Sequence, residues 1–315
     1  MPVTPTPLQK INDSLLSSHG VELFIKRDDL LHPDIGGNKW RKLKFNLLLA
    51  RRQRYEAILS FGGAYSNHLY ALAAAGRVCG FSTLGVVRGE APPVLSSTLE
   101  FARAAGMQLH FVDRETYRLR DDPAFISELH RRFGRMLILP EGGSNELALP
   151  GCGEIVAEID VQTEGHYDYV VCPAGTGGTL AGLIQGARGC KNVLGIAVLR
   201  NAAQLESHVR ELLLRAGSPE FLNWSVIAGY EHGGYAKVTS ELFSFVADFE
   251  QRTQVPLEYI YSGKMMFALY DMIRTGQIPR GARVVALHTG GLQGKASMAE
   301  KYSHLQAATA HTIFS

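Results

Sequence analysis

The chain has 315 residues, 46% hydrophobic and 20% charged, with a formal net charge of +2. This is the makeup of a globular protein with room for about two domains. It offers no basic excess for nucleic acid and no polybasic surface for a membrane. Cys79, Cys152, Cys172 and Cys190 lie far apart without a C-x-x-C pair. That spacing argues against a zinc site or a disulfide framework and fits a reducing compartment. Met1 to Leu8 lacks the apolar run of a signal peptide, and no apolar stretch is long enough to span a bilayer, so a cytoplasmic location is expected.

In chain order, Val21 to Ile25 alternates as a short strand, and Arg41 to Arg54 carries Leu43, Leu47 and Leu48 at helical spacing. Ala57 to Phe61 reads as a buried strand and Asn67 to Cys79 as an alanine-rich helix stopped by Gly80. Strands are expected at 82–87, 107–112 and 136–139, with helices at 96–105 and 121–133 between them. A second series follows: helix 155–161, strand 169–172, helix 179–187, strand 193–199, helix 203–215 and strand 224–228. A long helix from Ala236 to Thr253, a strand end at Tyr259-Ile260-Tyr261, helix 264–273, strand 284–288 and a helix from Leu292 complete it. Strands alternating with helices imply an α/β protein with mostly parallel sheets covered on both faces.

Ligands bind such sheets at the carboxyl ends of their strands. Those ends carry Gly62-Gly63-Ala64-Tyr65-Ser66-Asn67, Ala174-Gly175-Thr176-Gly177-Gly178-Thr179 and His288-Thr289-Gly290-Gly291, each opening a helix. A fourth loop, Gly36-Gly37-Asn38, delivers Lys39 with Arg41, Lys42 and Lys44 close behind. An amine crowded by cations loses its proton more easily, and a free amine attacks carbonyls, which makes Lys39 a candidate for a Schiff base with pyridoxal phosphate. The plain alternative is a loop before a solvated basic helix.

The Gly175–Thr179 loop, between a strand and a helix, forms an anion site from backbone N–H groups and a helix N-terminus. A dinucleotide would require glycine where Leu180 stands and an acid where Leu199-Arg200 stands; a P-loop would require more than Gly294-Lys295-Ala296. A single terminal phosphate, as in pyridoxal phosphate, remains.

Lys39 after G-G-N, Ser66-Asn67-His68, Gly175-Thr-Gly-Gly-Thr, Tyr261-Ser-Gly-Lys and His288-Thr-Gly-Gly, in that order, resemble the D-cysteine desulfhydrase and 1-aminocyclopropane-1-carboxylate deaminase family. The resemblance runs from Pro5 to His288. It implies the two-domain tryptophan-synthase-β-like fold (fold type II), with a large domain from 1–44 and 151–315, a small one from 45–150, and the active site in the cleft between them. It also implies a homodimer and a small amino-acid substrate.

By the same resemblance, Lys39 holds the cofactor covalently and moves protons, and Lys42 faces the phosphate cradled by Gly175, Thr176, Gly177, Gly178 and Thr179. Asn67 meets the cofactor's 3′-oxygen, Ser66 the substrate carboxylate, and Ser262 the pyridine nitrogen. Tyr261 is the active-site tyrosine; His68 and Thr289 join the substrate side. Each has a plain counterpart: Ser66, Asn67 and Ser262 as helix caps, Tyr261 as a packing aromatic, and His68 and His288 as core histidines. Trp40 and Phe61 are read as packing.

The deaminases resemble one another in having glutamate after the tyrosine and leucine after the final histidine. Here Ser262 and Thr289 match the desulfhydrases instead, and a neutral hydroxyl at the ring nitrogen suits an elimination that needs only a modest electron sink. The expected reaction is α,β-elimination of D-cysteine to pyruvate, hydrogen sulfide and ammonia. The alternatives are deamination of 1-aminocyclopropane-1-carboxylate to 2-oxobutanoate and a ligand-binding protein without turnover. Tyr65 and Tyr70 depart from the family pattern and are expected to narrow the pocket or shift its specificity. Either Tyr230 or Tyr235 takes the place of the family's second tyrosine.

Overall fold

The computed structural model describes residues 5–200, 202–303 and 305; the reading of residues 1–8 and that of the last helix fall partly outside them. The elements run β1 (Leu8–Ile11), α1 (Ser14–His19), β2 (Glu22–Lys26), α2 (Asn38–Arg52), β3 (Ala57–Gly62), α3 (Asn67–Cys79) and β4 (Ser82–Arg88). Next come α4 (Ser97–Ala104), β5 (Met107–Val112), α5 (Arg114–Arg118), α6 (Pro123–Phe133), β6 (Leu137–Ile138), α7 (Ala148–Thr163), β7 (Tyr169–Ala174) and α8 (Gly178–Ala187). Then β8 (Asn192–Ala197), α9 (Ala202–Arg215), β9 (Trp224–Ile227), α10 (Ser240–Thr253), α11 (Ser262–Arg274), β10 (Arg283–Leu287) and α12 (Lys295–Lys301) complete the order.

Ten strands form two sheets among the described residues. One has the order β1-β2-β10-β7-β8-β9 and the other β5-β4-β3-β6. All pairings are parallel except β1 with β2. The central parallel strands are buried on both faces, as near-continuous apolar runs such as Val170-Val171-Cys172 and Val284-Val285-Ala286-Leu287 require, while β5, β6 and β9 are only partly covered. The mixed α/β fold with mostly parallel sheets is therefore as the sequence implies.

Several boundaries differ from the sequence reading, each for a physical reason. β1 and α1 precede the first expected strand; β1 is an edge strand of mixed Leu-Gln-Lys-Ile composition and carries little periodic signal. α1 is a six-residue helix capped by Asp13, whose carboxylate accepts Leu15 N–H at 2.8 Å. α7 begins at Ala148 rather than Ile155, because Pro150 is tolerated in a first turn whose N–H groups have no helical partner. α10 begins at Ser240, after the Thr239 cap, and not at Ala236, whose φ is +53°. Tyr259-Ile260-Tyr261 is a turn rather than a strand end; the Glu258 carboxylate gathers the N–H groups of Ile260, Tyr261 and Ser262 and so bends the chain there.

Lys39 sits in the first turn of α2 rather than in the loop before it. The entry is made by Gly37, at φ +67° and ψ −155°, a region essentially restricted to glycine. A Cβ there would stand 1.9 Å from the carbonyl oxygen of Thr289, so the lysine loop and the loop after β10 are pressed together. α2 is held from below by a buried ionic cluster. Arg41 donates to both oxygens of Asp28, at 3.0 and 3.2 Å, and to Glu158 of α7, at 2.5 and 2.9 Å; Lys26 of β2 reaches the same Glu158 at 2.7 Å.

Candidate active site

The carboxyl ends of β3 and β7 empty into one cleft of about 580 Å³, reached by residues of both sheets. Lys39 and Lys42 of α2, Ser66, Asn67 and His68 at the start of α3, Gly175, Thr176, Gly177 and Thr179 at the start of α8, and Tyr261 all line it. Gly178 adjoins them as the first residue of α8. Sequence elements from four separate regions therefore converge. Two candidates stand apart: Ser262 is fully buried, and Thr289 lies in a neighbouring depression that also touches Lys39 and Asn67.

The Lys39 amine is pulled down to about 7, first by burial and then by the positive charge of Lys42. Of the three cations expected to crowd it, only Lys42 contributes; Arg41 and Lys44 are neutralised, Arg41 by Asp28 and Glu158, Lys44 by Glu154 at 2.5 Å. Lys39 Nζ donates to Asn38 Oδ1 at 2.6 Å and stands 5.9 Å from the centre of the Tyr261 ring. Burial also lowers Lys42, to about 8.

Lys42 Nζ donates to Gly142 O at 3.0 Å and to Ser144 Oγ at 2.9 Å, with Thr176 Oγ1 at 3.4 Å. Ser144 and Thr176 share a hydrogen bond of 2.7 Å, and Asn38 Nδ2 donates to Thr179 Oγ1 at 2.8 Å. Gly177 turns into α8 at φ +80°, a conformation that favours glycine, and a Cβ on Gly178 would stand 2.6 Å from Ser144 Oγ. A helix N-terminus, several hydroxyls and an ammonium group thus meet around a wall free of side chains. This donor set fits a terminal phosphate, and the near-neutral amine of Lys39 fits its carbonyl partner. Ser144 and Asn38 were not singled out from the sequence. Ser144 lies in the strand-end loop Glu141-Gly142-Gly143-Ser144-Asn145, whose glycines were the available signal.

Ser66 caps α3, its Oγ accepting Leu69 N–H at 3.2 Å, so its capping role and its place on the cleft wall coexist. Asn67 Oδ1 accepts from Gln293 at 2.8 Å. His68 has its Nε2 2.9 Å from Ser60 Oγ, and no hydrogen-bond partner for Nδ1. The Ser60 hydroxyl donates to Leu139 O at 3.0 Å, so it accepts from His68, leaving Nδ1 as a bare acceptor. Burial, then Lys42 and Lys39, push His68 down to about 3, and the ring is neutral. His288 is a satisfied core histidine, bonded to Pro256 O at 2.6 Å and to Gly290 N–H at 3.2 Å. Trp40 and Phe61 are buried in packing clusters, as expected.

Tyr261 is raised well above the ordinary tyrosine value by burial and by its neighbour Tyr235, so it keeps its proton. Of the two candidate tyrosines, Tyr235 lines the cleft, whereas Tyr230 bonds Asp271 at 2.8 Å elsewhere. Neither Tyr65 nor Tyr70 lines the main cleft, but Tyr70 lines the neighbouring depression with Lys39, Asn67 and Thr289. Tyr65 is half-exposed outside its lining, and Tyr70 stacks on Phe101 at 3.8 Å. At the mouth stand Arg88, without an acid within ion-pair distance among the described residues, and Arg120, paired with Glu141 at 3.2 Å.

Comparison with known proteins agrees with this geometry. Residues 1–290 match the family model described as pyridoxal-phosphate dependent enzyme. A bifunctional D-cysteine desulfhydrase/1-aminocyclopropane-1-carboxylate deaminase of Arabidopsis thaliana is 31% identical over 312 residues, covering 92% of this chain and 77% of the relative. A Pyrococcus horikoshii protein that carries the name of a 1-aminocyclopropane-1-carboxylate deaminase is 30% identical, covering 92% and 90%. A solved homologue of that deaminase superposes with a TM-score of 0.85 at 29% identity, covering 96% and 94%. A threonine deaminase from Solanum lycopersicum shares the fold at a TM-score of 0.69 and 17% identity, covering 97% and 84%. The chain belongs to the pyridoxal-phosphate dependent enzymes, in the family of the 1-aminocyclopropane-1-carboxylate deaminases and D-cysteine desulfhydrases.

Proposed function

We propose that the enzyme catalyses α,β-elimination on a small amino acid carrying a β leaving group, with D-cysteine the first candidate, giving pyruvate, hydrogen sulfide and ammonia. The observation that carries this reading is a near-neutral amine, Lys39, set 5.9 Å from the ring of a tyrosine that keeps its proton. A base and an acid on two sides of one cleft are what removal of an α-proton and protonation of a leaving group require.

The phosphate is assigned to Gly175, Thr176, Gly177, Gly178 and Thr179 with Lys42 and Ser144, and the covalent bond to Lys39. When bound, pyridoxal phosphate supplies the carbonyl that takes the substrate amine and the ring that draws off electrons as the α-proton leaves. Ser66 and Asn67 orient the substrate carboxylate. Lys39, uncharged once it has given up its proton, takes the α-proton, and Tyr261, backed by Tyr235, hands a proton to the departing sulfur. Lys42 stays with the phosphate, and its charge adds to the burial that brings the Lys39 amine down to about 7.

The four-stranded sheet, with residues 45–150, is read as the smaller of two lobes closing on the cleft; a homodimer and a cytoplasmic location complete the proposal. Among the described residues no helix is long and apolar enough to cross a membrane.

The deciding experiment measures keto-acid and sulfide release from D-cysteine, L-cysteine, D-serine and 1-aminocyclopropane-1-carboxylate. Pyruvate with sulfide from D-cysteine, and little product from the cyclopropane, is the expected result. 2-Oxobutanoate as the main product would assign the enzyme to deamination, the second activity in the name of the Arabidopsis relative. A protein that binds the cofactor yet releases no keto acid from any of the four would refute the elimination reading.

Arg88, exposed at the mouth, is placed to attract the substrate's carboxylate. Arg88→Met is expected to raise KM by about tenfold and leave kcat nearly unchanged, with the wild-type advantage shrinking as salt is added. Steady-state kinetics at two ionic strengths check this.

A further inference from the structure

Lys264, at the start of α11, has no exposed surface and no part in the proton transfers proposed above. Its amine ends among backbone oxygens, donating to Glu231 O and Gly234 O at 2.7 Å each, with Val198 O at 3.5 Å. The first two belong to the loop between β9 and α10, and Val198 follows β8. No acid stands within ion-pair distance among the described residues. Burial pulls the amine down to about 8, while Glu258 and Glu231, farther off, oppose the fall. It is therefore an ammonium at neutral pH, solvated by carbonyl dipoles where a buried cation ordinarily has a carboxylate.

The two loop oxygens belong to a strained stretch of backbone. His232, Gly233, Gly234 and Ala236 all have positive φ, at +46°, +92°, +111° and +53°. Each loop carbonyl already accepts one backbone N–H: Glu231 O from Gly234 at 2.9 Å and Gly234 O from Lys237 at 3.2 Å. The ammonium takes the second lone pair of each and draws the loop towards the end of β8. Directly after Gly234 comes Tyr235, which lines the cleft with Tyr261 and helps to keep that phenol protonated. The place of Tyr235 thus depends on a single positive charge beneath its loop.

We infer that Lys264 is a built-in monovalent cation: its ammonium holds the loop that sets Tyr235 against Tyr261, and the carbonyl cage it fills takes a free potassium or ammonium ion when the side chain is removed. Lys264 is a positioning residue, acting through Tyr235, and its part in turnover rests on the proposed role of Tyr261. Potassium suits such a cage because carbonyl oxygens can replace its hydration shell, whereas the smaller lithium and sodium ions hold their water more tightly. A tethered cation fills the cage without drawing on the salt around the protein. The wild type is therefore expected to work equally in any monovalent salt.

The test compares wild type, Lys264→Ala and Lys264→Met as holoenzymes in lithium, sodium, potassium or ammonium chloride at one ionic strength, reading kcat, KM and the thermal midpoint. The wild type should be indifferent to the cation. In lithium, Lys264→Ala should lose roughly 10²-fold in kcat, the scale of a misplacement of about 1 Å, with little change in KM. Potassium and ammonium should restore most of that loss and raise the midpoint; sodium should do neither. Lys264→Met fills the space without charge, so it should lose kcat and gain from no salt, and it decides the matter if Lys264→Ala does not fold. In Lys264→Ala/Tyr235→Phe, potassium should still raise the midpoint but no longer raise kcat. A potassium requirement in the wild type, equal or absent rescue of Lys264→Ala, or wild-type kinetics in Lys264→Met overturns the inference. A potassium gain in kcat that survives Tyr235→Phe overturns the positioning role. A wild type that releases no keto acid overturns the proposed function and the positioning role with it, while a potassium-selective rise in the midpoint of Lys264→Ala leaves the cage standing.

Discussion

Lys39→Ala is expected to bind pyridoxal phosphate without a covalent bond and to lose roughly 10²–10⁴-fold in turnover, the range associated with removal of a proton-transferring group. Borohydride treatment should then leave no labelled peptide around residue 39. Lys39→Arg should fail equally, because a guanidinium remains protonated and cannot attack a carbonyl. The pH dependence has a definite sign. Burial and Lys42 bring the Lys39 amine down to about 7, so the free base predominates above that pH and the ammonium below it. The rate of covalent cofactor attachment to the apoenzyme should therefore rise as pH increases through about 7, as stopped-flow absorbance would show. A rise only near the ordinary lysine value would mean that the amine is solvated, and a surviving adduct in Lys39→Ala would place the bond on another lysine.

Asp28→Ala is expected to destabilise the fold by about 3–5 kcal/mol, the cost of removing one partner of a buried ion pair. Asp28 has no exposed surface; it receives two bonds from Arg41 and one from Thr6 Oγ1 at 2.6 Å. Without it Arg41, 4% exposed, is left to share Glu158 with the buried Lys26, a carboxylate that cannot balance both cations. The loss should appear in the urea midpoint. Since Arg41 lies two residues from Lys39 on the same helix, cofactor affinity should weaken with it. Asp28→Asn, which keeps the shape and some hydrogen bonding, is expected to recover only part of the stability. A midpoint shift within the scatter of surface substitutions would show that Glu158 alone holds α2.

Much of the site could be read along the chain because its chemistry is local. A glycine-rich stretch after an apolar run and before a helix presents backbone N–H groups by its own conformation, and this is the feature behind the phosphate-cradle role proposed for Gly175–Thr179. Ser66 caps α3 through an atom three residues away, and the parallel β/α alternation follows from buried runs such as Val170-Val171-Cys172. The order of the motifs was enough to identify the family, and with it the cofactor.

The rest depended on contacts between distant segments. The basic residues after Lys39 look in sequence like one cationic cluster, but folding pairs Arg41 and Lys44 with acids from other elements and leaves burial and Lys42 to set the amine. Tyr230 and Tyr235 are equivalent in a glycine-rich loop until one meets Asp271 and the other Tyr261. Tyr65 and Tyr70, unusual in sequence, lie outside the lining of the main cleft, Tyr70 in the depression beside it. Glu258 attracted no notice because the run around it alternates like a strand; its backbone donors exist only once the chain turns. The sequence by itself therefore determined the fold, the cradle and the lysine, whose signals are backbone conformation and periodicity. Only the tertiary structure decided which charges are neutralised, which tyrosine enters the cleft and which carboxylate turns the chain at Ser262, because burial and long-range partners, absent from any local window, set proton affinity and side-chain direction.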